Sequence, residues 1–228
     1  GTSSTYAIAD GDQGKKIRAV ISYTDNEGHS EQITTVAKDI FYAASSNEGI
    51  TATGQAGNDL LIGSNNADTL DGGDGDDEIQ GGEGDDTIKG EAGDDTLYGG
   101  GGNDTIYGGH GIDTIYGGDG DDNLRVGTTQ NSDSGTGTQV IDAGDGDDYV
   151  YGYVDQKVLL GDGDDNFDGA FRYLDAGSGD DTIRTRIHVG DYWREYASRI
   201  DFLDGGEGYD ILDISSTWGN EDFGSSSL

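Results

Sequence analysis

The chain has 228 residues, of which 43 are Gly and none is Cys, and its formal net charge at pH 7 is −35. The lack of Cys excludes disulfides and thiol-based sites, the acidic charge disfavours a nucleic-acid partner, and no run of about 18 apolar residues could form a membrane span. Only 31% of the residues are hydrophobic, which is close to the composition of disordered proteins. Folding therefore needs cations that relieve the repulsion between carboxylates.

Residues 1–44 differ in character from the rest of the chain. Ile17 to Tyr23 alternate as a β-strand does, residues 24–29 (TDNEGH) predict a turn, and Ser30 to Ala37 predict the return strand. The stretch YAIADGDQGKKIRAVISYTDNEGHSEQITT resembles the last hairpin of a bacterial Ig-like module of large surface adhesins, about half of such a sandwich. The alternative is a simple hairpin that caps the next domain.

Residues 45–53 predict a linker and the entry to a repetitive region, residues 54–125. In rows of nine, that region reads GQAGNDLLI, GSNNADTLD, GGDGDDEIQ, GGEGDDTIK, GEAGDDTLY, GGGGNDTIY, GGHGIDTIY and GGDGDDNLR. Every row starts with Gly and has an aliphatic residue in its eighth place. The sixth-place residues are Asp59, Asp68, Asp77, Asp86, Asp95, Asp104, Asp113 and Asp122.

The rows return with interruptions in residues 126–213, as AGDGDDYVY, LGDGDDNFD, AGSGDDTIR and GGEGYDILD. Their sixth-place residues are Asp148, Asp165, Asp181 and Asp210. They recur about once per two rows, so we expect one edge of the structure to keep the Gly/Asp turn while irregular loops replace the other. The lost edge should still supply core residues, namely Ile141, Val158, Leu174 and Leu203. Residues 214–228 are assigned to a C-terminal tail.

The nonapeptide G-G-x-G-x-D-x-U-x is the calcium-binding repeat of RTX proteins, and the chain resembles that family. The resemblance implies an all-β fold, a right-handed parallel β-roll in which each coil comprises two rows and inward aliphatic side chains form a narrow core. It also implies a secreted or surface-attached bacterial protein, exported by a one-step (type I) route.

The turns of such a roll predict calcium sites. Glycine permits the tight bends that aim carbonyl oxygens at a sixth-place carboxylate, and two turns stacked on one edge, rows n and n+2, together supply the 6–8 oxygens that calcium takes. Magnesium and zinc suit this oxygen set less well. One ion per gap gives about ten ions. The predicted ligands are the sixth-place Asp residues of both regions, with the carbonyls of Gly72, Gly75, Gly81, Gly84, Gly90, Gly93, Gly99, Gly102, Gly108, Gly111, Gly117 and Gly120.

Fifth-place acids have two interpretations, as direct ligands or as an acidic outer surface. Asn58, Ala67, Asn103, Ile112 and Tyr209 occupy the same place in other rows, which favours a surface role or ligation through the backbone alone. The acids concerned are Asp76, Asp85, Asp94, Asp121, Asp147, Asp164 and Asp180.

Residues 171–202 concentrate Arg and aromatic side chains. This composition suits a lid over the second edge, and it also suits a site for sugars or carboxylates. The lid is the simpler interpretation. The candidate ligand patch comprises Arg172, Tyr173, Tyr192, Trp193, Arg194 and Tyr196.

No nucleophile motif, zinc-protease motif or phosphate-binding loop is present, so we expect a non-enzyme. The leading hypothesis is an extracellular, adhesin-like or exoprotein module that folds when calcium binds outside the cell. We expect it to be monomeric and to adjoin other domains of a longer polypeptide. The alternative is a carbohydrate-binding module of a polysaccharide-acting enzyme, which would use residues 171–202 to bind a glycan. An ice-binding roll is disfavoured, because the fifth place is mostly Asp rather than Thr or Asn.

Overall fold

The computed structural model describes residues 15–17, 20–24, 30–34, 38–42, 49–127, 139–152, 156–187, 200–216 and 226–227. These residues form a parallel β-solenoid of about seven turns without a helix, consistent with the predicted right-handed β-roll. The all-β fold class is therefore confirmed, whereas the Ig-like assignment of residues 1–44 stays a prediction. In the described residues, no helix has the length and apolarity needed to cross a membrane.

The strands, in chain order, are short. They are β1 (Lys15–Ile17), β2 (Val20–Thr24), β3 (Ser30–Thr34), β4 (Lys38–Tyr42), β5 (Thr51–Ala56), β6 (Leu60–Ile62), β7 (Thr69–Asp74), β8 (Glu78–Glu83), β9 (Thr87–Ala92), β10 (Thr96–Gly101), β11 (Thr105–His110), β12 (Thr114–Asp119), β13 (Asn123–Arg125), β14 (Gln139–Asp145), β15 (Tyr149–Gly152), β16 (Gln156–Asp162), β17 (Asn166–Gly169), β18 (Tyr173–Ser178), β19 (Thr182–Ile187), β20 (Phe202–Asp204), β21 (Ile211–Ser216) and β22 (Ser226–Ser227).

Alternate strands of the chain pair in two sheets that face each other. One sheet has the order β1-β4-β6-β8-β10-β12-β14-β16-β18-β20, and the other has the order β22-β21-β19-β17-β15-β13-β11-β9-β7-β5. Within the regular rows the register joins equivalent places two rows apart, as in Leu97, which is opposite Ile79 on one side and Ile115 on the other. Each coil therefore contains two rows and presents one turn at each edge.

The core consists of the eighth-place side chains, because alternate strand residues point to opposite faces of a sheet. Those of the regular rows, from Leu61 to Leu124, are fully buried. In the interrupted region Ile141, Val158 and Leu174 are also fully buried, while Leu203 is partly buried against the core. The parallel ladder runs on through β21, so both sheets continue beyond the regular rows.

The N-terminal strands include the antiparallel pair β2–β3, with Ile21 opposite Ile33, where the alternating pattern predicts a hairpin. β4 pairs in parallel with β6 and so extends one sheet of the roll. The sequence pattern did not predict this extension. The antiparallel β1–β4 pair then forms the edge of that sheet.

Candidate metal centre

The sixth-place carboxylates form two stacked columns, one at each edge of the roll. We call the column Asp68, Asp86, Asp104, Asp122, Asp148, Asp165, Asp181 and Asp210 the long-edge ladder. The column Asp59, Asp77, Asp95 and Asp113 is the short-edge ladder. Every one of these side chains is at most 3% exposed. The structure therefore brings all predicted carboxylates into two buried lines, with the pairing of rows n and n+2 that the sequence predicts.

Backbone hydrogen bonds hold the carboxylates in each ladder. The N–H of Asp86 donates to Oδ1 of Asp104 at 2.8 Å, and the N–H of Asp104 donates to Oδ1 of Asp122 at 2.8 Å. The pattern persists across the interruption, since the N–H of Asp122 donates to Oδ1 of Asp148 at 2.8 Å. One oxygen of each carboxylate is thus fixed by the coil below it, which also fixes the orientation of the second oxygen.

The second oxygen, Oδ2, has no hydrogen-bond partner in most of the ladder. Buried polar atoms are normally paired, because an unpaired one costs about 1–3 kcal/mol and more when charged. The carboxylates whose Oδ2 is buried and unpaired include Asp86, Asp95, Asp104, Asp113, Asp122, Asp148, Asp165 and Asp181. A periodic line of such atoms indicates that a ligand absent from the polypeptide satisfies them.

The same burial raises the pKa values of these carboxylates. The pKa of Asp165 rises from 3.8 to about 8, mainly because burial removes water from the charged form and further because Asp148 and Asp181 repel it. Burial is also the largest cause for Asp86, Asp95 and Asp122, whose pKa rises to about 7, and for Asp104, Asp113, Asp148 and Asp181, whose pKa rises to about 6. At neutral pH the ladders therefore need either protons or cations.

In the regular rows the first glycine leaves open the space next to Oδ2, whereas Ala143, Leu160 and Ala176 occupy the first place in three of the interrupted rows. A Cβ added to Gly81 would meet Oδ2 of Asp86 and would lie 2.6 Å from the carbonyl oxygen of Gly99 in the next coil. Gly90 has the same surroundings, namely Oδ2 of Asp95 and the carbonyl oxygen of Gly108. A small space lined by a carboxylate oxygen and a carbonyl oxygen from two successive turns is a suitable environment for a hard cation.

The predicted carbonyl ligands fall into two groups. First-place carbonyls lie beside Oδ2 of the turn below, and this group comprises Gly72, Gly81, Gly90, Gly99, Gly108 and Gly117. Fourth-place carbonyls stack instead on the fourth-place glycine of the next coil, as the carbonyl of Gly84 does below Gly102. The carbonyl of Ala143 occupies the first-group position above Gly117. Sequence reasoning missed Ala143 because it searched for glycine.

Comparison with known proteins agrees with this geometry. The family model for the RTX calcium-binding nonapeptide repeat (4 copies) matches residues 51–79, 71–106, 80–115, 98–129 and 133–156. The chain carries RTX calcium-binding repeats. No curated protein and no solved structure matched the chain significantly.

In the part of the RTX roll that the structure describes, side chains alone do not enclose an ion. Across the described residues, no group of three or more His, Cys, Asp or Glu side chains is placed to hold a metal. Each turn instead offers one carboxylate, and the further oxygens come from the backbone. Such a carbonyl-rich set excludes the thiolate and imidazole coordination typical of zinc and fits calcium.

The fifth-place residues of the RTX rows form a second ladder. The N–H of Asp94 donates to Oδ1 of Asp76 at 3.0 Å, and the N–H of Ile112 donates to Oδ1 of Asp94 at 2.8 Å. On the other edge, the N–H of Asp164 donates to Oδ1 of Asp147 at 2.9 Å. These bonds run from the upper coil to the lower side chain, opposite to the sixth-place bonds, and the side chains are exposed.

A surface role alone is therefore an incomplete interpretation of the fifth-place acids, because they also join adjacent turns. Two of the fifth-place residues that are not acids stand where no acceptor is required. Ile112 is in the last turn of the short-edge ladder and Tyr209 is in the last turn of the long-edge ladder, and each donates its N–H to the acid below. This position explains Ile112 and Tyr209, whereas Ala67, in the first turn of the long edge, has no such explanation.

The candidate ligand patch is only partly within the described residues. Arg172 forms an ion pair with Asp201, with Nη2 and Oδ2 2.7 Å apart, and the ring of Tyr173 stacks on Phe202 at 4.4 Å. Phe171 is buried in the core and contacts Phe167 edge to face. Tyr192, Trp193, Arg194 and Tyr196 lie outside the described residues. The described contacts are those expected of a lid.

Proposed function

We propose that this chain is a non-catalytic module of a secreted or surface-attached bacterial RTX protein, adhesin-like or part of an exoprotein, that folds when calcium binds outside the cell. The observation that carries the proposal is the line of buried, unpaired Oδ2 atoms in both ladders. Calcium that fills the space beside them neutralises the carboxylates and satisfies the oxygens in one step. The sixth-place Asp residues and the first-place carbonyls would hold it.

The number of ions follows from the ladders. Eight carboxylates on the long edge leave seven gaps, and four on the short edge leave three, so we keep the expectation of about ten ions at one per gap. Each divalent ion offsets two of the 35 net negative charges. The chain without calcium therefore retains a self-repulsion that favours an extended state.

Free calcium is scarcer inside a bacterial cell than outside it, and this difference would determine where the module folds. With affinities of about 10⁻⁴–10⁻³ M, as in other extracellular calcium modules, the chain would stay unfolded inside the cell. It could then pass through a secretion channel and fold on the outside, where binding stabilises the folded state by mass action. A segment that folds only outside also disfavours backward movement through the channel.

Circular dichroism with chelator and with millimolar calcium tests the proposal. We expect a largely unordered spectrum in chelator and a β-sheet spectrum after calcium addition, with magnesium at the same concentration as the control for ionic strength and charge. A β-sheet spectrum of equal intensity in chelator at neutral pH would contradict it.

A glycan-binding role stays the alternative prediction. It would need side chains of residues 171–202 that are available to a ligand, whereas Arg172 and Tyr173 each contact another residue of the chain. A glycan array with the wild-type chain and Trp193→Ala tests it, because binding that this substitution abolishes would support the role.

A further inference from the structure

The sixth-place column of the short edge continues above Asp113 with different side chains. In the register of the sheet, Gln139 precedes Val140, which is opposite Thr114, just as Asp113 precedes Thr114. Gln156 is then opposite Gln139 in the next coil. Two glutamines therefore occupy the positions at which the regular rows have Asp.

Gln139 belongs to a row of nine that resembles the repeat but lacks its Asp. The row SGTGTQVID, residues 134–142, keeps Gly in the second and fourth places and Ile in the eighth, and differs from the repeat by Ser in the first place and Gln in the sixth. The RTX family model includes it, in the match to residues 133–156. The row retains the pattern of a turn but lacks the carboxylate.

Both glutamines are buried and each donates a hydrogen bond along the column, while Oε1 of Gln156 is buried without a partner. Gln139 is 8% exposed and Gln156 is fully buried. Nε2 of Gln139 donates to the carbonyl oxygen of Gly111 at 2.9 Å, in the last Asp-bearing turn of the short edge. Nε2 of Gln156 donates to Oε1 of Gln139 at 3.2 Å, so the two amides form a chain that points down towards the Asp113 turn.

The amide of Gln139 satisfies the carbonyl oxygen of Gly111, whereas Oδ2 of Asp113, the last carboxylate of the short-edge ladder, stays buried and unpaired. Between Asp95 and Asp113 two carboxylates occupy successive coils and repel each other, so a cation is needed there. Above Asp113 the next sixth-place group is neutral and brings its own N–H donors. Glutamine is one methylene longer than Asp, and its amide nitrogen reaches the carbonyl of the turn below.

We propose that Gln139 and Gln156 end the calcium ladder of the short edge, with the hydrogen bond between their two amides taking, in the gap above Gln139, the place that calcium takes in the gaps below. This inference rests on the proposed function and deepens it, because it assigns which gaps bind ions. One coil above Gln156, Arg172 and Asp201 form an ion pair. The upper part of the short edge is thus held by hydrogen bonds and an ion pair, without metal.

The substitution Gln139→Asp tests the inference, because it restores the sixth-place carboxylate and should create one additional calcium site at residue 139. Native mass spectrometry of the whole chain in saturating calcium counts the ions directly. The matched control is Gln80→Asp, which adds the same charge on the outer face of β8, away from the turns. We expect one more ion than wild type for Gln139→Asp and the wild-type number for Gln80→Asp.

The outcomes separate the two proposals. If wild type binds no calcium, the proposed function fails. If wild type binds calcium while folded Gln139→Asp gains no ion, or Gln80→Asp gains one equally, the inference is wrong. A second variant, Gln139→Ala, decides the matter even if Gln139→Asp does not fold. We expect Gln139→Ala to keep the wild-type ion count and to melt at a lower temperature in calcium, whereas a lower count would show that Gln139 belongs to an ion site and would overturn the inference.

Discussion

Along the long edge a carboxylate occupies the sixth place of every coil from Asp68 to Asp210. Along the short edge the unbroken run of carboxylates ends at Asp113, and the column continues in register with Gln139, Gln156, Arg172 and Asp201. The core does not differ between the two sheets in this region. Ile141 in one sheet and Val150 in the other are both fully buried. The difference shows that the coils keep the same register whether the sixth-place column carries carboxylates or amides.

The largest expected effect concerns the whole roll without calcium. An Asp whose folded-state pKa is raised above 3.8 keeps a proton that the unfolded chain has released, so each such group opposes folding as the pH rises. The stability of the metal-free roll should therefore be greatest below pH 3.8 and should fall as the pH rises towards 6 to 8, the range of the folded-state pKa values. Circular dichroism in chelator from pH 8 to 4 should show β-sheet gained on acidification.

Individual carboxylates should contribute unequally to this transition. Asp165 has a pKa of about 8, raised mainly by burial, while Asp113, where burial raises the pKa and the charge of His110 opposes that rise, has a pKa of about 6. Asp165→Asn should therefore let the metal-free fold persist to a higher pH than Asp113→Asn does. Equal shifts for the two variants, or β-sheet that is lost on acidification in chelator, would contradict the assignment of buried carboxylates as the cause.

A second comparison removes one carboxylate from each edge in calcium. Asp165→Ala and Asp95→Ala each disrupt the two gaps that adjoin the substituted residue. With calcium at 100 times its dissociation constant, the loss of two ions should lower the free energy of unfolding by about 5 kcal/mol. In the coil of Asp95 the opposite edge keeps Asp86 and Asp104, whereas opposite Asp165 the short edge has no predicted ion. We expect Asp165→Ala to open residues 156–187 locally and Asp95→Ala to leave them protected.

Hydrogen exchange read out by peptide mass spectrometry measures this opening. In Asp165→Ala we expect faster exchange that is confined to residues 156–187. In Asp95→Ala we expect a smaller increase in exchange, spread over the coils around Asp95. Matching exchange profiles would mean that the edges do not differ in the way the ladders indicate.

A third test fills one ion space without removing a carboxylate. Gly81→Ala places a methyl group against Oδ2 of Asp86 and the carbonyl of Gly99, and should exclude one ion, at a cost of about 3 kcal/mol at 100-fold saturation. Gly101→Ala is the control, since its methyl group would meet only the flexible side chain of Glu83, 3.1 Å away. Calorimetric titration should find one calcium fewer in Gly81→Ala alone; an unchanged count would show that the ion does not lie beside the first glycine.

Much of the fold and of the site could be predicted from the sequence, because a strict period carries both. The spacing of Asp and aliphatic residues predicts the two sheets, the pairing of alternate rows and the division into edges, and the structure brings Asp122 and Asp148 into successive coils across 26 residues. The continued core at Ile141 and Val158 was likewise predictable from strand endings. In these cases the place of a residue in the nine-residue row is enough to determine its position in the fold.

The rest could not be predicted because it depends on contacts between rows. The fifth-place pattern is irregular in composition, and only the hydrogen bond from the N–H of Ile112 to Asp94 shows why an apolar residue suffices in a last turn. Gln139 and Gln156 were overlooked because the search required Asp in the sixth place. A search that allowed any polar residue behind an eighth-place aliphatic would have found them.

The smallest expected effect tests whether the fifth-place ladder is independent of calcium and hence equal on both edges. Asp147→Ala on the long edge removes the acceptor of the N–H of Asp164, and Asp94→Ala on the short edge removes that of Ile112. Each should lower the free energy of unfolding in calcium by about 1 kcal/mol and keep the ion count. Asp145→Ala, an exposed acid of the same turn as Asp147, removes the same charge without a ladder bond and should change thermal stability less. Loss of stability in the long-edge variant alone, or loss of an ion in either variant, would contradict this prediction. The fifth-place acids would then belong to the calcium sites, together with the sixth-place carboxylates.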